Sequence, residues 1–288
     1  KQTLLSIISQ NFTIYEVIIV DQSDDTLTKD LVSNFSKNNF SIKYIHSEIK
    51  SLTIARNIGI ENLSDRTELV IFLDDDVVLE NDYINKVNIF FENDNSKKYF
   101  GATGYIKNNE RKSKITFLLK LFILQEYKDG KFKINGLPTF PKFRDRPYEI
   151  EFLSGCNMIF RKEIFNEFKF DENMLKYCYM EDVDFTYRVS RKFKMIFLPD
   201  IKLIHNVSPV NRLKIKESKS FFMQNYLYLF KKNVNKNLFS ISSLLWSISG
   251  MFFISLLLFQ FKAISGYFDG IIRYITKNFS SLKIGTYK

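Results

Sequence analysis

The sequence has few of the residues that build disulfide scaffolds and zinc sites. Its 288 residues include only two cysteines and two histidines. No Cys/His spacing is typical of a structural zinc site, and Cys156 and Cys178 alone cannot form a disulfide framework. This cysteine usage fits a reducing compartment. Glycine and proline are also scarce, at ten and five residues, and the sequence contains no low-complexity tract.

A nucleic-acid groove is also not indicated. The formal net charge is +10 and the pI is near 9.3, an excess that could serve nucleic acid, an anionic membrane or a phosphorylated substrate. However, no cluster of Lys and Arg is interleaved with aromatic residues in the way that nucleic-acid surfaces require. We therefore expect a membrane or a phosphorylated substrate, and no nucleic acid, as the partner.

Short apolar runs alternate with helical patterns over the first half of the chain. Strands are predicted at residues 16–20, 42–45 and 69–73, and helices at 3–10, 26–35, 51–59 and 82–91. This alternation predicts an α/β fold with a mostly parallel sheet and helices on both faces. Farther along, strands are predicted at 195–198 and 201–204, a helix at 181–191, and a mobile loop over 127–147.

Three carboxylates follow the apolar run at residues 69–73. Asp74, Asp75 and Asp76 cannot lie in the same core as that run, because an unpaired buried charge is too costly. The strand therefore ends there, at the sheet edge where α/β proteins bind ligands. Acids this close repel one another unless a cation lies among them, so a divalent ion that also carries a phosphate is the natural occupant.

The C-terminal part changes in character. Residues 237–261 contain no charged side chain and are long enough to cross a bilayer. Lysines flank both ends, so charge asymmetry gives no orientation. Ser240, Ser243, Ser247 and Gly250 form a stripe of small residues suited to close helix packing. The segment either spans the membrane or dips into it, and a second amphipathic helix is predicted at 263–277.

Several motifs occur in one order along residues 1–210, and together they resemble a bacterial family 2 glycosyltransferase with the GT-A fold. They are Val20-Asp21-Gln22-Ser23-Asp24-Asp25, Ala55-Arg56-Asn57-Ile58-Gly59, Phe72-Leu73-Asp74-Asp75-Asp76, Gly155-Cys156-Asn157-Met158-Ile159-Phe160-Arg161, Glu181-Asp182-Val183-Asp184 and His205. The resemblance implies a transferase domain at 1–210, whose first strand we expect to lie before Lys1, and a helical, membrane-associated segment at 211–288. It also implies inverting transfer from a UDP-, GDP- or dTDP-linked sugar to a glycan or lipid-linked acceptor, at the cytoplasmic face of the bacterial inner membrane.

The resemblance also implies roles for individual residues. Asp182 is the expected catalytic base, and Glu181 orients the acceptor or the base. A divalent metal, Mn²⁺ or Mg²⁺, is expected on Asp76, Asp74 and His205. The donor nucleotide is expected at Asp21, Ser23, Arg56, Asp74 and Asp75, with Arg56 also able to form a structural salt bridge to a neighbouring aspartate. Gly155, Cys156 and Asn157 are expected to shape the acceptor side, with Cys156 as a small packed residue and no nucleophile.

Two other readings of the sequence remain open. A sugar-nucleotidyltransferase also uses strand-end acids and a metal, but it normally carries a Gly-rich loop with Lys or Arg, and none is visible here. A membrane-tethered binding protein without activity could use the same fold. The presence of both Asp76 and Asp182 argues against that second alternative.

Overall fold

The structure is a computed structural model that describes residues 1–12, 14–35, 41–108, 115–125, 129–174, 178–207 and 213–276. Its strands are β1 Glu16–Asp21, β2 Ser41–His46, β3 Leu69–Leu73, β4 Val77–Leu79, β5 Tyr99–Ile106, β6 Tyr148–Ile150, β7 Asn157–Arg161 and β8 Lys194–His205. Its helices are α1 Gln2–Ile8, α2 Leu27–Ser33, α3 Leu52–Glu61, α4 Tyr83–Asn93, α5 Thr116–Leu121, α6 Glu181–Ser190, α7 Ile215–Asn233, α8 Leu238–Leu257 and α9 Phe261–Ile275, with a 3₁₀ helix at Lys162–Asn166.

The strands form two sheets. Strands β1 and β2 pair in parallel, and the other strands form a six-stranded sheet in the order β3-β7-β5-β8-β4, with β6 also paired to β8. The predicted α/β class is confirmed, but the larger sheet is mixed: only β5 and β8 pair in parallel within it. The prediction of a mostly parallel sheet therefore holds for β1 and β2 but is wrong for the larger sheet.

Strand β8 is one long strand where two short strands were predicted. Its pairing with β5 shifts register between Gly104 and Tyr105, opposite the segment that contains Pro199. Proline has no backbone N–H to give to a sheet and is tolerated at such irregularities. The strand therefore continues through Pro199 to His205, which lies opposite Val77 of β4.

A cavity of about 690 Å³ separates the two sheets. Its walls include Val17–Val20 of β1 and Leu69–Leu73 of β3, and Arg56 and Asp74 lie on its lining as well. Among the described residues, β1 pairs only with β2 and β3 only with β7, so each has an edge without a strand partner. The cavity therefore joins an apolar interior to the acidic turn after β3.

The C-terminal helices pack closely on one another and on the sheet domain. Added Cβ atoms at Gly266 and Gly270 of α9 would each lie 2.4 Å from backbone oxygens of α7, so glycine is what permits this approach. The predicted small-residue stripe of α8 is buried: Ser240, Ser243, Ser247 and Gly250 all face protein. Helix α7 shares a hydrophobic core with Phe152 and Val183 of the sheet domain.

The prediction of a mobile loop is wrong for residues 129–141, several of which are buried, whereas residues 142–147 are exposed and residues 127 and 128 lie outside the described part of the chain. Asn135 is fully buried, and its Nδ2 donates to the carbonyl of Ile123 at 3.0 Å and to Ser247 Oγ at 2.6 Å. The hydroxyl of Tyr226 donates to the carbonyl of Asn135 at 2.9 Å. The C-terminal helices pack over this segment. The local sequence cannot predict this burial, because the residues that pack on the segment lie about a hundred positions later in the chain.

We expect Gly104→Ala to destabilise the fold. An added Cβ would lie 2.2 Å from the carbonyl oxygen of Ile201, a backbone atom that cannot rotate away. The free energy of unfolding should fall by about 1–3 kcal/mol, as in other overpacked cores, and urea denaturation measures it. Gly59→Ala in α3 is the control, because its Cβ would meet only Val20 at 3.9 Å. Equal stability of the two variants would contradict the prediction.

Candidate functional site

Arg56 of α3 lies at the centre of the site. Its Nη1 donates to Glu181 Oε1 at 2.7 Å, and its Nη2 donates to the carbonyl of Gly155 at 3.1 Å. Nη2 also lies 3.7 Å from Asp74 Oδ1. One guanidinium group therefore joins helix α3, the end of β3, the loop before β7 and the start of α6.

Two aromatic rings hold the Arg56 side chain in place. The guanidinium carbon lies 5.2 Å from the ring centre of Phe170 and 6.0 Å from that of Phe72. Only 7% of the side chain is exposed, and a buried cation of this kind persists only where acids and hydrogen bonds compensate its lost hydration. The expected structural salt bridge is present, although the closer partner is Glu181. Sequence analysis missed this pairing and Phe170, because no local pattern marks either of them.

The acidic turn after β3 meets the end of β8. His205 Nε2 lies 3.0 Å from Asp76 Oδ1 and 3.9 Å from Asp74 Oδ2. The β4–β8 register explains this, because His205 pairs with Val77 and the backbone N–H of Asn206 donates to the carbonyl of Asp76 at 2.8 Å. The three residues predicted as metal ligands are thus brought together, whereas the neighbouring Asp75 is exposed.

The donor atoms at this turn fit a hard divalent cation. Ligand atoms of Asp74, His205 and Cys156 all lie within 4.8 Å of one another. Burial and the nearby Asp74 carboxylate raise the pKa of Cys156 to about 12, so its thiol stays protonated and is a poor ligand. The carboxylates of Asp74 and Asp76 with the imidazole of His205 are a ligand set that suits manganese. Burial also raises the pKa of Asp74, with Arg56 opposing and Glu181 adding to the shift.

Asp182 begins helix α6 and faces the loop before β7. Its Oδ2 accepts from the backbone N–H of Gly155 at 2.9 Å, and its Oδ1 accepts from the backbone N–H of Val183 at 2.8 Å. The residue as a whole is half-buried. Burial, followed by repulsion from Glu181, raises the pKa of Asp182 to about 7. A carboxylate with a pKa near neutrality is suited to take up a proton during a reaction.

Gly155 is the point where these groups approach most closely. An added Cβ there would lie 3.0 Å from Arg56 Nη2, 3.1 Å from Glu181 Oε1 and 3.4 Å from Asp182 Oδ2. Any side chain would therefore press on the buried ion pair and on the carboxylate of Asp182 together. The place of Gly155 on the acceptor side stays a prediction.

The next two residues do not line an open cleft. Asn157 is fully buried at the start of β7 and accepts a hydrogen bond from the hydroxyl of Tyr83, so its predicted place on the acceptor side is wrong. Its side chain enters the core because strand β7 is buried along its whole length. Cys156 is also buried, with 3% exposure, as expected for a small packed residue.

Asp21 ends β1 beside the start of α3. It is buried and accepts hydrogen bonds from the N–H and hydroxyl of Ser23 and from the hydroxyl of Tyr44. Burial opposes ionisation, but these hydrogen bonds outweigh it and lower the pKa of Asp21. The side chain of Gln22 donates to the carbonyl of Ser51 at 3.0 Å, which ties this turn to α3. Ser23 remains partly exposed next to an ionised carboxylate.

Comparison with known proteins gives a consistent result. Residues 1–168 match the sequence profile of Glycosyl transferase family 2. Over 84 residues the chain is 32% identical to Glycosyltransferase GlyA of Streptococcus pneumoniae serotype 4, a match that covers 29% of this chain and 12% of that protein.

Solved structures of other transferases share the fold. GalNAc-T7, crystallised with UDP, GalNAc and Mn²⁺, is 16% identical with a TM-score of 0.60, and the match covers 80% of this chain and 44% of that one. Mannosyltransferase PcManGT of Pyrobaculum calidifontis, with GDP-Man and Mn²⁺, is 12% identical with a TM-score of 0.57 and coverages of 98% and 83%. TarS 1–349 of S. aureus, with UDP-GlcNAc, is 15% identical with a TM-score of 0.57 and coverages of 97% and 78%.

We expect Arg56→Met to destabilise the protein strongly. The change keeps the length of the side chain but leaves Glu181 as a buried, unpaired charge, which costs about 3–5 kcal/mol in comparable cases. Chemical denaturation measures the loss. Arg66→Met is the control, since Arg66 is exposed and its guanidinium carbon lies 5.0 Å from the ring centre of Tyr15. Equal effects of the two changes would show that the Arg56 ion pair does not organise the site.

Proposed function

The chain belongs to glycosyl transferase family 2, and from this premise we propose that it transfers a sugar with inversion from a nucleoside diphosphate donor to a glycan or lipid-linked acceptor. The observation that carries the proposal is the meeting of an acid–histidine cluster with Asp182 around the buried cation Arg56. The acid–histidine cluster is suited to hold the diphosphate through a cation, and Asp182 is suited to activate a hydroxyl.

The proposed donor is a UDP-, GDP- or dTDP-linked sugar. Structures of similar fold contain UDP, UDP-GlcNAc or GDP-Man, which supports this class of donor. Asp21 and Ser23 are proposed to contact the base or ribose, since the ionised carboxylate of Asp21 lies at a strand end beside α3. Asp75 is proposed to contact the nucleotide, and its exposed side chain is open to solvent on the same turn as Asp74.

Asp76, Asp74 and His205 are proposed to hold Mn²⁺ or Mg²⁺. Bound there, the cation would supply the positive charge that stabilises the diphosphate as a leaving group. Arg56 already donates hydrogen bonds to Glu181 and Gly155, so we propose that it keeps Asp74 in position. Any contact of Arg56 with the nucleotide would be made while these hydrogen bonds are kept.

Asp182 is proposed as the general base. The acceptor oxygen forms a bond to the anomeric carbon while the bond from that carbon to the phosphate oxygen breaks. The hydroxyl proton passes to the carboxylate of Asp182, and the nucleoside diphosphate leaves with the bonding electrons. Hydrogen bonds from the N–H groups of Gly155 and Val183 fix the carboxylate at the helix start. Glu181 is proposed to position this base and the acceptor through its ion pair with Arg56.

The proposed site of action is the cytoplasmic face of a bacterial membrane. Among the described residues, α8 is the one helix long and apolar enough to cross a membrane. Lys231, Lys236 and Lys262 flank it and suit an anionic surface. We propose that residues 1–210 form the transferase domain and that residues 211–288 attach it to the membrane.

Asp76→Ala is predicted to abolish manganese-dependent binding of the donor. The change removes one carboxylate from the proposed metal ligands. In a thermal-shift screen of UDP-, GDP- and dTDP-sugars, the parent should melt at a higher temperature with donor and Mn²⁺ together, because a ligand of the folded state stabilises it by mass action. Asp65→Ala, an exposed acid outside the site, should keep the shift. A full shift in the Asp76 variant would refute the metal assignment.

Asp182→Asn is predicted to keep donor binding and to lose transfer. The amide has nearly the same shape but cannot accept the proton, so turnover should fall about a hundredfold or more. In the parent, the rate should rise with pH through about 7, because Asp182 must lose its own proton before it can act. Turnover assays with Asp200→Asn, an exposed acid, provide the control. Turnover retained in the Asp182 variant would exclude this residue as the base.

A further inference from the structure

Helix α8 buries most of its serines and exposes most of its large apolar residues. Its buried side carries Ser240, Ser243, Ser247, Gly250 and Ser255 together with Leu244, Met251 and Ile254, while Ser242 and Ser249 are exposed. Its exposed side carries large apolar residues, namely Leu238, Phe239, Ile241, Leu245, Trp246, Phe253, Leu256 and Leu257, of which Leu238 is 77% exposed. Helices on water-soluble surfaces show the opposite arrangement. The outer side of α8 therefore suits an apolar environment.

The exposed apolar surface continues onto the two neighbouring helices. At the end of α5, Leu121 is exposed, and its carbonyl accepts from the indole N–H of Trp246 at 2.8 Å. The next residue, Phe122, is buried, with its ring centre 5.0 Å from that of Trp246 and 5.7 Å from that of Phe253. On the other side, the rings of Phe252 in α8 and Phe268 in α9 are 4.7 Å apart. We call this region the apolar face: the exposed apolar residues of α5, α8, the turn between α8 and α9, and α9. Such an area on one side of a chain marks an interaction surface.

Polar contacts hold one side of α8 against the rest of the protein. Ser247 Oγ accepts from the buried amide of Asn135 at 2.6 Å, and the indole N–H of Trp246 donates to the carbonyl of Leu121 at 2.8 Å. Close to this point, an added Cβ at Gly250 would lie 2.2 Å from Phe122. A helix that crossed a bilayer would have to leave these partners and expose Asn135. Half-burial against protein therefore favours a helix that stays in the membrane plane.

Charges around the apolar face specify the kind of surface it fits. Residues 237–261 contain no acidic or basic side chain, whereas exposed lysines stand just outside this range at Lys231, Lys236 and Lys262. An apolar strip bordered by cations is complementary to a bilayer with anionic headgroups. Trp246 on this face is the only tryptophan of the chain, and tryptophan is enriched at membrane interfaces.

The apolar face is joined firmly to the helix that carries Asp182. Lys232 of α7 lies 2.9 Å from Asp184 Oδ1 of α6, and Asn233 Nδ2 donates to the same oxygen at 2.8 Å. Asn225 of α7 also donates to the carbonyl of Tyr179, just before α6. A surface held by α7 is therefore held at a fixed distance from the proposed catalytic base.

From these observations we infer that the apolar face docks in the plane of an anionic bilayer, with α8 and α9 lying in one leaflet and no helix crossing it. This rests on the proposed membrane location and adds the mode of attachment. It places Asp182 at a constant height above the headgroups, where the hydroxyl of a lipid-linked acceptor would be presented.

Tryptophan fluorescence of the 288-residue chain tests the docking. Vesicles of phosphatidylglycerol and phosphatidylcholine should shift the emission of Trp246 to the blue, and brominated acyl chains should quench it. Pure phosphatidylcholine vesicles should bind more weakly. Because no nucleotide sugar is present, this result is independent of transfer activity. Absence of any spectral change, together with a stable dimer in light scattering, would show that a second copy covers the face and would overturn the inference.

Matched variants separate docking from folding. Leu245→Glu adds a charge to the apolar face at a residue that is 62% exposed, and Ile89→Glu adds one at a 47% exposed residue of α4 as a control. The first should weaken vesicle binding about tenfold or more, and the second should leave it unchanged. Equal binding of both variants would reject the apolar face as the docking surface.

Labelling separates docking in the plane from crossing. Lys236→Cys and Lys262→Cys place thiols at the two ends of α8, while Cys156 and Cys178 are buried. When vesicles are added to folded protein, an impermeant maleimide outside should modify both new thiols. Protection of one end only would mean that α8 crosses the bilayer and would refute the in-plane arrangement.

Discussion

The site depends on one buried cation. Arg56 links an acid that ends a strand, a backbone carbonyl of a loop and an acid that begins a helix, although these groups are distant in sequence. Without this cation, Glu181 would be a buried acid with no opposite charge, because acids in a low-dielectric interior repel one another and lose their hydration. Phe72 and Phe170 limit where the guanidinium can lie. The position of Asp182 therefore follows from that of Arg56, through Glu181 and Gly155.

The charge of the cluster explains why the site suits a cation and a proton acceptor at once. Asp74, Asp76, Glu181 and Asp182 gather around one arginine and one histidine. Burial is the main cause that raises the pKa of Asp74 and of Asp182, and repulsion from Glu181 adds to the shift of both. A divalent ion at Asp74, Asp76 and His205 would lower the raised pKa of Asp74. Asp182 is held by the N–H of Gly155, whose carbonyl accepts a hydrogen bond from Arg56.

Sequence reasoning succeeded where the determinants are local. The strand that ends in Asp74–Asp76, the helix that begins at Glu181 and the chain order of the motifs all follow from hydrophobic pattern and charge. It failed where distant elements decide. The direction of pairing in the larger sheet depends on connections across the fold, and the partner of Arg56 comes from residue 181. Asn157 follows a predicted site glycine but points into the core, because β7 is a central, buried strand.

The C-terminal helices are a second case in which local sequence does not determine the geometry. The uncharged run at 237–261 predicts contact with a membrane but not its geometry, because spanning and surface helices share that composition. Only the contacts distinguish the two: Ser247 is bonded to Asn135 of the sheet domain on one side, and phenylalanine, leucine and tryptophan face outward on the other. A helix anchored along its length cannot also stand across a bilayer. Since α7 connects this surface to Asp184 of α6, the proposed attachment to a membrane would also fix the position of the helix that carries Asp182, the proposed base.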